Sequence, residues 1–311
     1  MLNPARLRYF ALLLISVVVF ASCAGTTSGM LGIDYRSEMK TLVAEIAEVA
    51  KRVAPQFSIF VNNGEELTTR WGNSGSKLDE EYLPSLDGFL IESLFFGSSG
   101  PDTRTPNESR NIILPYLLKM RKSGVPILVI DYCSEIPNRI ESLQKNREFD
   151  FLAFPAPRIE LDTAPNPDPP PDFLYLVNPG QYSRSDFVRV VAEYPTNHVF
   201  VDLYYGDEPL TAPEVDTMRS DPERRIYAYM SVGEASDFRP YWKSIWDISR
   251  PDWIEAANPN WPGSYRVRYW RDEWKSLLLD GEESYLGTIL ASGFDGVVLD
   301  GVDSYWYFES R

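Results

Sequence analysis

The chain has 311 residues, of which 44% are hydrophobic and 24% are charged, so it can bury the core of one large domain or two small ones. Asp and Glu number 45 against 30 for Lys and Arg, a net charge of −15. This balance argues against a nucleic-acid partner, because phosphate binding needs clustered cations. With one histidine, a multi-histidine zinc site is excluded, and acid–base chemistry falls to the carboxylates.

The first 22 residues have the pattern of an export signal. Arg6 and Arg8 precede the apolar run FALLLISVVVF, and small residues then lead to Cys23. The apolar run is shorter than the roughly 20 residues that a membrane-spanning helix needs. Its ending resembles a bacterial lipobox, which implies cleavage before Cys23 and lipidation of that residue. We therefore expect an exported chain tethered to a membrane by lipid, with simple secretion or a retained anchor as alternatives.

Beyond the signal, eight short apolar runs alternate with helix-like segments. The runs show little apolar–polar alternation, which is typical of parallel strands buried on both faces. Amphipathic segments such as 36–52 lie between most of them, and a last helix is predicted over 270–292. Strand and helix alternating eight times predict one (β/α)8 barrel over residues 31–311. The predicted strands are 57–62, 88–94, 126–132, 151–154, 173–178, 198–205, 226–232 and 296–300.

One connection differs from the others. Residues 155–172, PAPRIELDTAPNPDPPPD, are too rich in proline to sustain a helix, so we expect a stiff, extended linker on the surface. A division into two domains at this linker is the alternative. A single barrel is preferred, because neither part alone would close a sheet.

Acidic residues stand at or just beyond the ends of several predicted strands. In a parallel barrel the chemistry collects at the carboxyl ends of the strands, so these acids are the candidate functional residues. Glu234 and Asp300 end neighbouring strands, which lie about 4.8 Å apart in a sheet. The full set is Glu92, Asp131, Asp202, Glu234, Asp237, Asp300 and Asp303.

Five motifs give the chain a resemblance to a known family. They are SVGEASDFRPYW, NPNWPGSYRVRYW, GFDGVVLDGVDSYWYF, VNNGEEL and LDGFLIESLFFG. Together they resemble the TIM-barrel proteins related to endo-α-1,4-polygalactosaminidase, glycoside hydrolase family 114, and its uncharacterised extracellular relatives. The resemblance covers nearly the whole mature chain. It implies hydrolysis of an α-linked polysaccharide, with a galactosamine polymer as one candidate substrate and no cofactor.

The order of the motifs is rotated relative to that family. In the relatives, the segment resembling FLYLVNPGQY comes first and the one resembling VPILVIDYC comes near the end, whereas here the second precedes the first. The resemblance therefore implies a circular permutant. Loops tolerate such cuts, and the 155–172 linker would then lie where the relatives have their termini.

Glycoside hydrolysis assigns two different roles to carboxyl groups. One gives its proton to the leaving oxygen, and the other is ionised and acts as nucleophile or base. We predict Asp300 as the nucleophile or electrostatic partner and Glu234 as the acid/base, with Glu92 as a substitute for either. We predict Arg239 to pair with Glu234 or Asp237. The predicted substrate-binding residues are Asn62, Asp131, Asn178, Asp202, Tyr205, Asp237, Arg239, Trp242 and Asp303.

Two other classes of function stay open. The characterised polygalactosaminidases carry a Glu two residues before the acid matched by Asp300, and this chain has Val298 there. A carbohydrate-binding lipoprotein without turnover is therefore one alternative. A metal-assisted hydrolase with Asp202, Glu234 and Asp300 as oxygen ligands is the other.

Overall fold

The parallel strands expected from the apolar runs form a single sheet in the structure, a computed structural model that describes residues 32–311. Continuous apolar sequence suits these strands, because helices or loops cover the outer face and aromatic rings fill the inner one. The strands are β1 Ser58–Asn62, β2 Gly88–Glu92, β3 Ile127–Tyr132, β4 Leu152–Ala156, β5 Leu174–Leu176, β6 His198–Asp202, β7 Arg225–Ser231 and β8 Gly296–Asp300.

The sheet is nearly closed into a barrel. Its order is β5–β6–β7–β8–β1–β2–β3–β4, and every paired neighbour is parallel. Inside, the ring of Phe60 lies 5.2 Å from that of Phe200 and 4.8 Å from that of Tyr227. The lumen is therefore a packed core, as in TIM-like barrels, and the predicted α/β class with eight parallel strands is confirmed.

The remaining seam lies between β4 and β5. Asp172 joins the two edges, because its backbone nitrogen donates to the Ala153 oxygen and its carboxylate accepts from the Ala153 nitrogen, each at 2.9 Å. The rings of Phe154 and Phe173 pack across the same seam with centroids 5.6 Å apart. One side chain and one aromatic contact thus take the place of a full ladder of hydrogen bonds.

The helices lie outside the sheet. The prediction of a helix over 36–52 is confirmed by α1, whose first turn is capped by the Asp34 side chain at 3.0 Å from the Ser37 nitrogen. The single helix predicted over 270–292 is wrong: it is two helices, because Gly281 adopts a φ of +83° and Ser284 caps a new start. The helices are α1 Tyr35–Val53, α2 Asn107–Lys122, α3 Ile136–Glu148, α4 Arg184–Glu193, α5 Ala212–Arg219, α6 Asp272–Leu279, α7 Tyr285–Ala291 and α8 Tyr305–Glu309.

The first and last of these helices are neighbours. Arg36 on α1 forms an ion pair with Glu309 on α8 at 2.9 Å, and the ring of Tyr35 lies 5.3 Å from that of Phe308. On its other flank, α1 packs against α7 and the turn at Leu83–Ser85. The helix that precedes β1 and the helix that follows β8 thus pack against each other. Across residues 32–311, none of the helices has the length and apolar character that crossing a membrane requires.

The proline-rich segment connects β4 to β5 without a helix. Its backbone oxygens accept hydrogen bonds from three flanking elements: Asn166 from Arg139 at 2.5 Å, Pro165 from Tyr194 at 3.0 Å, and Leu161 from the Asn178 nitrogen at 3.2 Å. Residues 159–164 are half-buried. The segment is therefore packed against the barrel and covers the seam.

A small antiparallel sheet that the sequence did not predict is inserted between β7 and α6. Its strands, in spatial order, are Glu234–Ser236, Ser264–Val267 and Ile254–Ala257. Behind it, the ring of Trp253 lies 5.2 Å from that of Trp246 and 5.3 Å from that of Trp274. The tryptophan-rich stretch of the sequence therefore serves mainly as the core of this insertion, which holds Glu234 beside the barrel.

Candidate active site

Two strand-end acids share one amide group at the mouth of the barrel. Asn62 ends β1, and its Nδ2 donates to Glu92 Oε1 at 2.8 Å and to Asp300 Oδ1 at 3.1 Å. Two acceptors of one nitrogen are held within a few ångströms of each other. The arrangement follows from the strand order, because β1 lies between β2, which ends in Glu92, and β8, which ends in Asp300.

Asp300 receives more hydrogen bonds than this one. The hydroxyl of Tyr229 donates to Oδ2 at 2.6 Å, and the backbone nitrogen of Gly301 donates to Oδ1 at 2.8 Å. Three donors therefore converge on this carboxylate, and donors of this kind stabilise its negative charge. The arrangement suits a carboxyl group that acts in its ionised form.

Glu92 lies in a different environment. Its Oε1 accepts from Asn62 and its Oε2 accepts from the hydroxyl of Tyr132. Burial raises the pKa of Glu92, and the nearby charge of Asp300 raises it further, while the two hydrogen bonds act in the opposite direction. The balance favours a carboxyl group that keeps its proton to a higher pH than an exposed glutamate.

Glu234 is the third acid at this place. It follows Gly233, where a Cβ atom would collide with the Gly301 oxygen and the Ser304 hydroxyl, so the chain ends of β7 and β8 are in backbone contact. Its Oε1 accepts from Asn258 Nδ2 at 2.6 Å and lies 3.7 Å from the Arg266 guanidinium. Burial raises the pKa of Glu234 to about 7, Arg266 and Asn258 lower it, and the charge of Asp300 raises it.

Two further acids surround this group from the loops after β1 and β8. Burial raises the pKa of Asp303 to about 7, and the charges of Asp300, Glu234 and Glu65 contribute in the same direction. Burial also raises the pKa of Glu65 to about 7. Glu65 was missed by the sequence analysis, although it lies within the VNNGEEL motif three residues after the end of β1. We call Glu65, Glu92, Glu234, Asp300 and Asp303 the acid cluster.

Other partners of the acid cluster were also missed. Tyr229 lies inside β7, not at its end, so a search of strand ends passes over it. Arg266 lies in the inserted sheet and Asn258 directly follows its strand Ile254–Ala257, and the apolar runs do not reveal this sheet. The available signal was periodicity, because Tyr229 and Tyr227 share the inward face of β7.

Asp202 and Arg239 form a closed pair apart from the acid cluster. The guanidinium binds both carboxylate oxygens, at 2.7 and 2.6 Å, and the two side chains are only 7% and 10% exposed. Arg239 therefore pairs with Asp202, not with the predicted Glu234 or Asp237, because the loop after Ser236 folds back over the end of β6. Such a bidentate pair ties the insertion to the barrel.

Asp131 has a structural environment. It is fully buried, and its Oδ1 accepts from the backbone nitrogens of Phe95 and Phe96 at 2.8 and 3.0 Å. Its Oδ2 accepts from Ser142 at 2.7 Å and Asn146 at 3.1 Å, both on α3. Successive side chains of a strand point to opposite faces, so Asp131 faces the helix layer while the next residue, Tyr132, reaches the acid cluster.

The remaining predicted binding residues contact neighbouring loops. The Asn178 amide donates to the Glu160 oxygen at 2.5 Å, and the Tyr205 hydroxyl donates to the Tyr182 oxygen at 2.5 Å. The Trp242 ring stacks on that of Tyr265 at 5.0 Å, and its indole nitrogen donates to Asp247. Asp237 lies exposed on the inserted hairpin, 3.5 Å from the Tyr265 hydroxyl.

The described residues also bear on the metal alternative. From residue 32 onward, no three His, Cys, Asp or Glu side chains are grouped so as to hold a metal ion. Of the three ligands considered, Asp202 already binds Arg239 through both oxygens. The arrangement of the acids therefore does not fit that set.

Comparison with known proteins finds a family match over the part of the chain that carries β6, β7, β8 and the insertion. Residues 178–311 match the sequence model of the family described as Glycoside-hydrolase family GH114. An uncharacterized protein of Thermotoga maritima is 42% identical over 135 residues, which are 43% of this chain and 38% of the relative. The uncharacterized protein MJ1477 of Methanocaldococcus jannaschii is 46% identical over 128 residues, 41% of this chain and 34% of the relative.

An uncharacterized protein of Deinococcus radiodurans is 32% identical over 124 residues, 40% of this chain and 39% of the relative. The chain thus spans less than two fifths of the length of each of these relatives in the matched region. The matched family region contains Glu234, Asp300 and Asp303 of the acid cluster. Residues 178–311 are thus similar to glycoside-hydrolase family GH114.

Proposed function

We propose that the protein hydrolyses a glycosidic bond with a pair of carboxyl groups from the acid cluster. The observation that carries this proposal is the convergence of Glu92, Glu234 and Asp300 at the carboxyl ends of barrel strands, in a chain similar to a glycoside-hydrolase family. The reaction needs one protonated and one ionised carboxyl group. The surroundings of the three acids differ in this way, because three donors converge on Asp300 while the pKa values of Glu92 and Glu234 are raised.

In this mechanism Glu234 is the proton donor. Its pKa of about 7 keeps it protonated in mildly acidic solution, and its side chain is 17% exposed, so a substrate can reach it. Glu234 gives its proton to the glycosidic oxygen while the carboxylate of Asp300 attacks the anomeric carbon or stabilises its positive charge. Water then completes the hydrolysis, with Glu234 accepting a proton. Glu92 can replace either partner, since Asn62 joins it to Asp300.

The proposed substrate is an α-linked polysaccharide that contains galactosamine. The resemblance of the five motifs supports the linkage. The acid cluster supports a cationic substrate, because those of its carboxyl groups that are ionised attract and hold a protonated amino group. Asp237, Asp303 and the stacked rings of Trp242 and Tyr265 are proposed to contact the sugars at the rim.

A carbohydrate-binding protein without turnover is the second candidate. The observation that favours it is Val298, which is fully buried on the same face of β8 as Asp300, one layer deeper. The characterised relatives carry Glu at that position. If that carboxyl group is needed for turnover, this chain would bind its polysaccharide and leave it intact.

Release of reducing ends from a deacetylated α-1,4-galactosamine polymer tests the proposal. We expect Glu234→Gln to lower kcat about 10²- to 10⁴-fold and to remove the fall in activity above pH 7, because the general acid is gone. Asp300→Asn should lose at least as much, and Glu92→Gln shows which glutamate donates the proton. The exposed Glu193→Gln on α4 is the matched control and should retain full activity. Tight binding by the wild type with no cleavage would establish the binding protein instead.

We also propose that the chain is exported and held at the cell envelope by lipid on Cys23. This proposal is supported by the export-signal pattern, which lies outside the described residues 32–311. Mass spectrometry of the membrane fraction should find a lipidated amino terminus at Cys23, and Cys23→Ser should abolish it. An unlipidated mature protein in the medium would contradict the anchor.

The circular permutation is a further part of the proposal. It is supported by the family match, which covers only residues 178–311, and by the packed, helix-free segment at the seam between β4 and β5. The contact between α1 and α8 also supports it, because these two helices together occupy the place of the connection that an unpermuted chain has between these strands.

A further inference from the structure

We infer that Asn62 is a positioning and specificity residue: it fixes Glu92 and Asp300 relative to each other and reads a hydrogen-bond donor on the sugar bound between them. This inference rests on the proposed hydrolysis for its substrate. The bridge between the two acids exists in the free protein, so it can be measured without any turnover.

The orientation of the Asn62 amide is set by charge. Nδ2 is the shared donor to both acids, at 2.8 and 3.1 Å. A reversed amide would place its oxygen against the oxygen of Asp300, and an ionised carboxylate cannot donate a hydrogen. Both N–H groups of Asn62 are therefore used, one on each acid. A neutral amide is suited to this position, because a third carboxylate here would repel the other two.

The other end of the amide faces a different situation. Asn62 is only 3% exposed, and its Oδ1 is buried without a hydrogen-bond partner among residues 32–311. A buried acceptor left in this state is costly, so a ligand that supplies a donor is bound more tightly than one that does not. A free hydroxyl or amino group on the sugar ring is the donor that a substrate held by these acids can supply.

The backbone around Asn62 keeps the amide in place. Asn63 donates its backbone nitrogen to the Leu90 oxygen at 2.9 Å, and it adopts a φ of +61°. Gly64 follows with a φ of +74°, where a Cβ atom would lie 3.1 Å from Val302. This tight turn fixes the end of β1 against β2 and β8. Asn62 therefore acts from a rigid position, as a positioning residue must.

The first measurement is the titration of the carboxyl groups in the free protein, monitored by NMR of carboxyl-labelled Glu and Asp. The Asn62 hydrogen bond lowers the pKa of Glu92, so Asn62→Ala should raise that pKa, and the isosteric Asn62→Asp should raise it further by adding a charge. Asn178→Ala removes an amide whose side chain donates to the Glu160 oxygen of the linker, so it should leave the titration of Glu92 unchanged. An unchanged Glu92 titration in both Asn62 variants would overturn the positioning role.

The second measurement uses a series of oligosaccharides in which one hydroxyl or amino group at a time is replaced by hydrogen. For the wild type, one member of the series should lose about 10- to 100-fold in kcat/KM, the effect of one unsatisfied buried acceptor. In Asn62→Ala that same member should lose nothing further, because the acceptor is absent. Equal losses in both proteins at every position would overturn the specificity role.

The two proposals fail in distinguishable ways. If the wild type cleaves none of the parent oligosaccharides, the hydrolase proposal fails, while the NMR titration still tests the bridge. Binding of the same series to the wild type and to Asn62→Ala then replaces kcat/KM as the readout of specificity. If the wild type cleaves the parent but Glu92 titrates alike in all variants, hydrolysis stands and the role of Asn62 falls.

Discussion

Three aspartates at the ends of these strands have three different environments. Asp131 accepts four hydrogen bonds from loop and helix and is part of the core. Asp202 gives both oxygens to Arg239. Asp300 accepts from Tyr229, Asn62 and Gly301 at the centre of the acid cluster. The environment of each acid, and not its position at a strand end, decides what it can do.

The raised pKa values in the acid cluster predict a pH-dependent stability. Unfolded Glu and Asp titrate at about 4.3 and 3.9, whereas Glu65, Glu234 and Asp303 titrate at about 7 in the folded protein. Between these values the folded protein binds more protons than the unfolded chain, so its stability falls as the pH rises. Thermal unfolding should show a higher Tm at pH 5 than at pH 8, although the lowered pKa of His198 acts in the opposite direction.

The neutral variant Asp303→Asn should flatten this slope and raise the Tm at pH 8, because it removes one of the protons that folding retains. Glu193→Gln, an exposed change on α4, should leave the slope unchanged. A wild-type Tm that rises steadily from pH 5 to pH 8 would show that these acids are not protonated in the folded protein.

At this scale the sequence predicted the location of the site better than its members. The rule that acids at strand ends carry chemistry found Glu92, Glu234 and Asp300, which do converge in the structure. The same rule could not separate them from Asp131, because a shift of one residue along β3 turns the side chain to the outer face. It also could not find Glu65 or Asn258, whose positions depend on a tight turn and on the inserted sheet.

At the scale of elements, the inserted sheet depends on one close backbone contact. The strand Glu234–Ser236 follows directly after β7, and Gly233 between them touches Gly301 and Ser304 after β8. Only a residue without a Cβ fits there. Glycine is thus required by a close approach, and this contact sets the position of Glu234 beside Asp300.

Gly233→Ala should therefore destabilise the protein by about 1–3 kcal/mol, because the added methyl group meets backbone that cannot easily move. It should also lower hydrolysis, since Glu234 is displaced. Gly180→Ala is the matched control, because a Cβ atom there meets nothing within 4 Å. Denaturant unfolding of the two variants measures the difference, and equal stability would show that the β7–β8 contact is looser than described.

At the scale of the whole molecule, the strands follow one another around the barrel in chain order, but the seam lies between β4 and β5 and not between β8 and β1. The helix before β1 and the helix after β8 together close one connection, while residues 157–173 cross the seam without a helix. Such a barrel can be cut at the seam and joined at the other end with little change in its contacts.

We expect a rearranged chain to fold. It begins at Pro167, runs to Arg311, continues through a short Gly/Ser linker to residue 32, and ends at Asn166. Because Arg36 and Glu309 are already in contact, the linker need only be short, and the Tm should fall by no more than several degrees. A chain cut between Val129 and Ile130, inside β3, is the control and should not fold. If the rearranged chain also fails to give the near-UV circular dichroism spectrum of the wild type, the expectation that the barrel tolerates this new order is wrong.

The barrel as a whole was predictable from continuous apolar runs, since eight of them fall on the eight strands. The ends of the strands were harder to predict. The run 198–205 was predicted as one strand, but β6 ends at Asp202 and Tyr204–Tyr205 belongs to a separate hairpin. Apolar residues report burial and not direction, so a turn within an apolar run leaves no signal. The broken helix at Gly281 escaped for the same reason, because apolar periodicity resumes after the turn.

The aromatic rings of Phe60, Phe200 and Tyr227 have a consequence for how the proposed polysaccharide substrate enters and leaves. They stand one layer beneath Asn62, Asp202 and Tyr229 and pack against one another inside the barrel. A polymer cannot be threaded through such a tube, so it must drape across the opening and lift off again on the same side. In the proposed hydrolysis, both fragments therefore leave by the opening through which the intact polymer arrived.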